Sequence, residues 1–390
     1  MKIALVSPYD FAYPSGVCIH ISYLERHFTR MGHDVKVIAP ASKAISGFGD
    51  RFISIGRPRP VPTSGSIARL TLSLWLSSRI KEVLERENFD IIHLHEPLMP
   101  MLCTSVLRLS QTANVGTFHV SNGRPGYNLG RPISKWFLKK WFRKLDGKIA
   151  VSKPAMEFAH RHFPGYYNII PNGVDLDHFS PDVAPIDEFD DGKLNILFVG
   201  RLEKGKGLNY LLEAFRRVKQ EVPDSRLIVV GPGTRLRRKY EKQVAKSGLE
   251  DVVFIGFAPY EDLPRYYKTA DVFCTPATGS ESFGIILLEA MAVAKPIVAS
   301  DIEGYANVIS DGVDGMLVPP KDSQSLARAL VTLLTDQSLR QEMGAQGRAK
   351  ALNYGWESIA RSVLDYYMRV LSEPPWNKQF PQKKETLISV

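Results

Sequence analysis

The 390-residue chain is 44% hydrophobic and 23% charged, a globular composition that excludes a mainly disordered protein. Its net charge of +9 is unevenly placed: residues 1–180 carry 23 Lys/Arg against 13 Asp/Glu, and residues 181–390 carry 27 against 28. The first half is therefore expected to face something anionic, with nucleic acid, an anionic membrane and a phosphorylated substrate all open.

At about 150 residues per domain the length suggests two domains or three, each large enough to bury a core without stapling by disulfides or metals. The three cysteines, Cys18, Cys103 and Cys274, lie far apart, so no disulfide framework or CxxC site is expected and a reducing compartment is. The amino-terminal run "KIALVSP" stops at Pro8; it is too short for a signal-peptide core and reads as a strand. No apolar run approaches the roughly 20 residues of a membrane span, so a soluble or peripheral protein is expected.

Residues 17–31 look helical, "DVKVIAP" is a strand, 78–88 is helical, and "DIIHLHE", "NVGTFHV" and "KIAVSK" are strands. "YNIIPNGVD" closes a first domain, 1–175. Residues 176–193 are rich in Pro and Asp without periodicity and read as a linker. The rhythm restarts with the strand "NILFVG" and a helix whose Leu208, Leu211, Leu212, Phe215 and Val218 share one face. "RLIVVG", "VVFIG", "DVFCTP" and "PIVAS" are further strands of a second domain, 194–355. Helices over 323–335 and 356–371 follow, and 374–390 reads as a mobile tail. The expected fold is α/β: two Rossmann-like, doubly wound parallel-sheet domains facing across a cleft, with ligand sites at strand carboxyl ends.

Four motifs fall just after strands. In "GRLEKGKG", Arg201 and Lys206 precede a helix, an arrangement suited to a diphosphate; a solvated loop is the alternative. In "SESFGIILLEA", a helix is predicted to start near Phe283, so that the amides of Phe283 and Gly284 can bind phosphate. Glu281 lies at its mouth and Glu289 about two turns inside, where a carboxylate can accept hydrogen bonds from a sugar diol. The alternative is a cap at Ser280 or Glu281 with Glu289 in solvent. In "PYDFAYPSGV", Gly16 permits close backbone approach by a ligand, or forms a plain turn; full GxGxxG spacing is missing. In "GTFHV", His119 ends a strand and faces either a cleft or a structural partner. His93 and His95 share a strand face and Glu96 follows, but without HExxH or a His/Cys cluster no protein-bound metal is expected.

Together these motifs and "IIPNGVD" resemble the retaining glycosyltransferases of family 4, of GT-B fold, over about residues 1–371. Within that family, "VSPYDFAYPSGV", "VIAPAS", "GSIARL", "HLHEP", "TFHVS" and "SESFGIILLEAMA" are most similar to bacterial phosphatidylinositol mannosyltransferases. The resemblance implies GDP-mannose as donor, phosphatidyl-myo-inositol as acceptor, no required cofactor, and a cytoplasmic enzyme peripheral to the inner face of the cell membrane. By motif it implies that Arg201 and Lys206 hold the diphosphate, Glu281 contacts the transferred sugar and Glu289 the ribose. Gly16 would approach the donor diphosphate and the acceptor. His119 would sit beside the acceptor ring, and Ser66 and Arg69 would meet the acceptor phosphate. It also implies that helix 356–373 crosses back to the first domain. Ser15-Gly16 replaces the family's usual Gly-Gly pair, Thr63 and Ser64 stand where the subfamily tends to carry tyrosine and asparagine, and Lys295 replaces a common glycine.

Residues 131–148 hold seven Lys/Arg and one acid, with Ile133, Phe137, Trp141 and Leu145 at helical steps and Trp136 and Phe142 beside them. Such a basic amphipathic helix suits an anionic lipid surface, or packs its stripe on the sheet. Residues 67–81 are a second lipid-facing candidate. No RNA-binding motif or recognition helix is found, so nucleic acid is not an expected partner; oligomeric state stays open. The competing functions are a relative with another donor and acceptor, such as a diacylglycerol glucosyltransferase, a sugar-nucleotide epimerase of the same fold, and a non-enzymatic basic binding protein.

Overall fold

The computed structural model of the protein describes residues 1–372 except 14, 63–66, 72–75, 122–137, 234–235 and 280. Ser66, Ser280, the tail 374–390 and residues 131–137 of the basic segment lie outside the described residues.

The first half holds strands β1 (Lys2–Val6), β2 (Asp34–Ala39), β3 (Phe52–Ser54), β4 (Pro58–Pro62), β5 (Ile67–Thr71), β6 (Ile91–His95), β7 (Ala113–Phe118), β8 (Gly147–Ala150) and β9 (Asn168–Ile169). Seven of them form a parallel sheet in the order β3-β2-β1-β6-β7-β8-β9. Helices α1 (Gly16–Arg30), α2 (Ser77–Glu87), α3 (Leu102–Leu109) and α4 (Lys153–His162) connect them. The continuous apolar runs of β1 and β6 follow from this arrangement, since a parallel strand between two helical layers is buried on both faces. One face packs Ala4, Val6, Ile92 and Leu94 against α2 and α3; the other packs Ile3, Leu5 and Ile91 against α1.

The second half repeats the plan. Strands β10 (Leu194–Val199), β11 (Ser225–Val230), β12 (Val252–Gly256), β13 (Val272–Thr275), β14 (Ile297–Ser300) and β15 (Met316–Val318) form a parallel sheet in the order β12-β11-β10-β13-β14-β15. Its helices are α5 (Leu208–Glu221), α6 (Arg237–Ser247), α7 (Leu263–Thr269), α8 (Ile285–Ala292), α9 (Glu303–Ala306), α10 (Ser323–Thr335) and α11 (Gln337–Ala351). A final helix, α12 (Trp356–Ser372), buries Trp356, Val363 and Tyr367 in one core with Ile3, Leu5 and Phe28 of the first half.

Within 176–193, Phe179 and Phe189 are buried with Leu197 and Phe273 in the core of the second sheet, so this stretch is packed despite its loop-like composition. In the second lipid-facing candidate, 67–71 pair antiparallel with 58–62, and the helix expected over 78–88 runs from Ser77 to Glu87. Residues 138–142 are helical, but Leu138, Phe142 and Leu145 are buried in the first core, leaving Lys139 and Lys140 in water. Among the described residues no helix is long and apolar enough to cross a membrane.

The chain passes between halves twice, at Val174 and Gly355, and the two crossings pair side by side. The Tyr23 hydroxyl of α1 meets the Tyr260 hydroxyl of the second half at 2.8 Å.

Candidate active site

Each sheet reverses its strand order once, between β1 and β6 and between β10 and β13. Ligands of open parallel sheets bind outside the carboxyl ends at such points. The loops that leave these four strands carry Gly16, Glu96, Arg201–Gly207 and Glu281.

Lys206 closes a short turn, Lys204–Lys206, and its Nζ donates to Glu281 Oε1 at 2.6 Å. The Thr278 N–H ties the second loop to this turn by donating to the Gly205 carbonyl at 2.8 Å. Gly207 has φ +74°, and a Cβ there would stand 1.8 Å from the Pro276 carbonyl oxygen, so glycine is what lets the two loops close up. Arg201 has a side chain 54% exposed and meets Glu203 at 3.4 Å. With one of its three donors engaged by Glu281, the ammonium of Lys206 retains capacity for an anion, and Arg201 on the same loop carries a planar fork of the same use.

Helix α8 opens at Ile285, later than the Phe283 start predicted, because Gly284 with φ +89° forms its cap and Phe283 is buried in the core. The amides at the helix mouth are therefore those of Ile285 and Ile286, which have no intrahelical acceptor; the Leu287 N–H already bonds the Gly284 carbonyl at 3.0 Å. The paired Lys206, the half-exposed Arg201 on the same loop and the N-terminus of α8 thus belong to one loop pair, an arrangement chemically suited to phosphate charge.

Gly16 faces this mouth from the other half: a Cβ on it would lie 3.7 Å from Ile285 Cδ1. It begins α1, and Ser15 caps that helix by accepting from the Cys18 N–H at 3.2 Å, which accounts for a side chain in place of the usual glycine. Nearby, Arg69 lies over the Tyr13 ring at 3.9 Å, and its carbonyl accepts from the Asp10 N–H at 2.9 Å. The β4–β5 hairpin is thereby docked on the loop that leads to Gly16.

Glu289 is not on a solvated face. It is 7% exposed, its Oε2 accepts from the Tyr267 hydroxyl at 2.7 Å, and burial pushes its carboxyl up to about 7. His119 follows β7 and is 8% exposed, with its Nε2 2.9 Å from His95 Nδ1. Its ring also meets His20 edge-on at 5.1 Å. Sequence reasoning assigned no role to Glu96, whose Oε1 accepts from the N–H of His119 at 2.7 Å and of Val120 at 3.1 Å. The one signal for it is a carboxylate at a strand end before Pro97. Tyr267 and His20 carry no signal, because their partners lie 22 and 152 residues away. Among the described residues no group of three or more His, Cys, Asp or Glu is arranged to hold a metal ion, and the three cysteines are free and buried.

Two Rossmann-like domains, with the Lys206–Glu281 loop pair at one switch point and a glycine loop facing it, are the architecture of a GT-B glycosyltransferase. Family comparison agrees over nearly the whole chain, matching Glycosyltransferase Family 4 over residues 14–178 and Glycosyl transferases group 1 over 182–350. The chain is 36% identical over 373 residues to a phosphatidyl-myo-inositol mannosyltransferase of Mycobacterium leprae, covering 95% of this chain and 97% of that one. It is 34% identical over 379 residues to the enzyme of that name from Propionibacterium freudenreichii, covering 94% of each. Anabaena HepE in complex with UDP shares the fold, with a TM-score of 0.76 at 19% identity over 95% of this chain and all of that one. The chain belongs to the family 4 glycosyltransferases, among relatives named phosphatidyl-myo-inositol mannosyltransferases.

Proposed function

We propose that this enzyme transfers mannose from GDP-mannose to phosphatidyl-myo-inositol, with retention at the anomeric carbon, while resting on the inner face of the cell membrane. The observation that carries the substrate reading is the 36% identity to a phosphatidyl-myo-inositol mannosyltransferase across both halves of the chain. The Lys206–Glu281 contact at the mouth of α8, opposite Gly16, supports the chemistry.

In this reading the bond from sugar to diphosphate breaks early, and negative charge grows on the leaving oxygens. Arg201, Lys206 and the amides of Ile285 and Ile286 stabilise it once the Lys206–Glu281 pair has opened to the donor. Phe283 and Gly284 shape the approach to that mouth. Glu281 turns from Lys206 toward the sugar hydroxyls, and Glu289 accepts from the ribose diol. A leaving phosphate oxygen takes the proton of the attacking hydroxyl on the same face, which gives retention without a carboxylate nucleophile. Arg69 and the neighbouring Ser66 receive the acceptor phosphate, and His119 lies beside the acceptor ring. The cationic surface of the first half, Lys139 and Lys140 included, is drawn to anionic lipid.

A donor screen with extracted lipids, followed by mass spectrometry of the product, tests this. A hexose added to phosphatidylinositol from GDP-mannose alone is expected. Transfer from a UDP-sugar to another lipid would replace the proposal by a different specificity on the same fold, and donor turnover with no acceptor would indicate an epimerase.

A further inference from the structure

The "HLHEP" motif has no role in the chemistry so far, yet it surrounds His119. His95 ends β6 and pairs with Thr117 of β7, two residues before His119. From there His95 Nδ1 reaches His119 Nε2 at 2.9 Å, while Glu96 holds the main chain of His119 and Val120 by two hydrogen bonds. The His95 ring cannot turn freely. It lies 4.4 Å from the ring of His93, which is itself bonded at both nitrogens, to the Tyr367 and Thr117 hydroxyls at 2.6 Å each. His20 meets the His95 ring edge-on at 5.2 Å, and its Nδ1 is bonded to Asn172 at 2.8 Å.

Burial drives the His95 and His119 rings well below the ordinary histidine range, so both are neutral near pH 7. A neutral imidazole has one N–H and one lone pair, and in a bond between two of them one nitrogen donates and the other accepts. The other His95 nitrogen decides which. His95 Nε2 is buried and has no hydrogen-bonding partner among the described residues. A proton there would strand an N–H donor in the interior, which folded proteins rarely tolerate, whereas a bare lone pair is more often left unsatisfied. The proton of His95 therefore sits on Nδ1 and points at His119.

We infer that His95 is a positioning residue that fixes His119 as its Nδ1–H tautomer, so that His119 offers substrate a hydrogen-bond donor and not a base. This rests on the reading that His119 lies beside the acceptor. The acceptor hydroxyl's proton must then leave by another route, which accords with a departing phosphate as its receiver.

Long-range ¹H–¹⁵N spectra of the histidine-labelled full chain at pH 7 read the tautomers directly. Nδ1–H at both His95 and His119 is expected; Nε2–H or an imidazolium at His119 would overturn the inference. Kinetics give a second reading. In His95→Asn the side-chain amide stands near the place of Nδ1 and can still donate; in His95→Leu nothing can. His95→Leu is expected to raise the acceptor KM about tenfold with the donor KM unchanged, and His95→Asn to restore most of it. Equal loss in both folded variants, or loss in neither, would overturn the assignment. If His95→Leu does not fold, the wild-type spectra decide alone. If the wild type transfers no sugar to any lipid, the functional reading fails, and the tautomer result still stands or falls on the spectra.

Discussion

Lys206 and Glu281 stand 75 residues apart and meet at 2.6 Å, a pairing with which, in the proposed reading, a diphosphate competes for the lysine. Arg201→Ala and Lys206→Ala are each expected to lower turnover at least ~10²-fold, the scale for removing one preorganised donor to a developing anion. Near-normal steady-state rates in both would refute that role. Glu289 behaves differently. Burial raises its carboxyl to about 7, so the fold binds its proton more tightly than the unfolded chain does. Its contribution to stability therefore falls as pH rises from the ordinary glutamate range through about 7, the reverse of a salt-bridged acid. Glu289→Gln should melt above the wild type at pH 8, and the gap should close at about pH 4, where the carboxyl is protonated in both states. A gap independent of pH would contradict this origin. The meeting of Lys206 with Glu281 agrees with the sequence placing both on loops that leave neighbouring strands at their carboxyl ends. Glu96 and Tyr267 are not legible in sequence, since their partners are set by which strands and helices come together.

At the scale of elements, the turn at Gly207 joins the loops that carry Lys206 and Glu281. Gly207→Ala forces a side chain into the left-handed region and onto the Pro276 carbonyl. It is expected to cost about 1–3 kcal/mol in chemical denaturation and to weaken nucleotide binding with it. Wild-type stability would show that the turn can relax. The longer strands of both parallel sheets are readable because burial on two faces produces unbroken apolar runs, whereas β3, β9 and β15, two or three residues each at sheet edges, are too short to show one. The β4–β5 hairpin escapes reading because "PRPVP" carries three prolines, and proline is tolerated only at a strand edge. The start of α8 is misread for a similar reason: Phe283 looks helical, while the positive φ of Gly284 sets the boundary.

For the whole molecule, the return of α12 joins the halves. Trp356 stacks on Tyr23 at 5.0 Å and meets His20 edge-on at 5.1 Å, so it touches both the interdomain contact and the histidine cluster. Trp356→Ala is expected to cost about 3–5 kcal/mol and to be felt in acceptor kinetics as well as in melting; melting like the wild type would deny the helix this role. If the enzyme works at a lipid surface, it should sediment with anionic but not neutral vesicles and be released by high salt. Equal sedimentation with both would discard the lipid role. The two-domain plan is legible from the repeated strand–helix rhythm, but the packing of Phe179 and Phe189 into the second core is not, because a Pro- and Asp-rich stretch reads as a spacer whatever it covers. The most direct measurement is a crystal structure of the full chain with GDP bound. The pyrophosphate should lie within hydrogen-bonding reach of Arg201, Lys206 and the amides of Ile285 and Ile286, with Gly16 across from it. A pyrophosphate seated away from that loop pair would contradict the account.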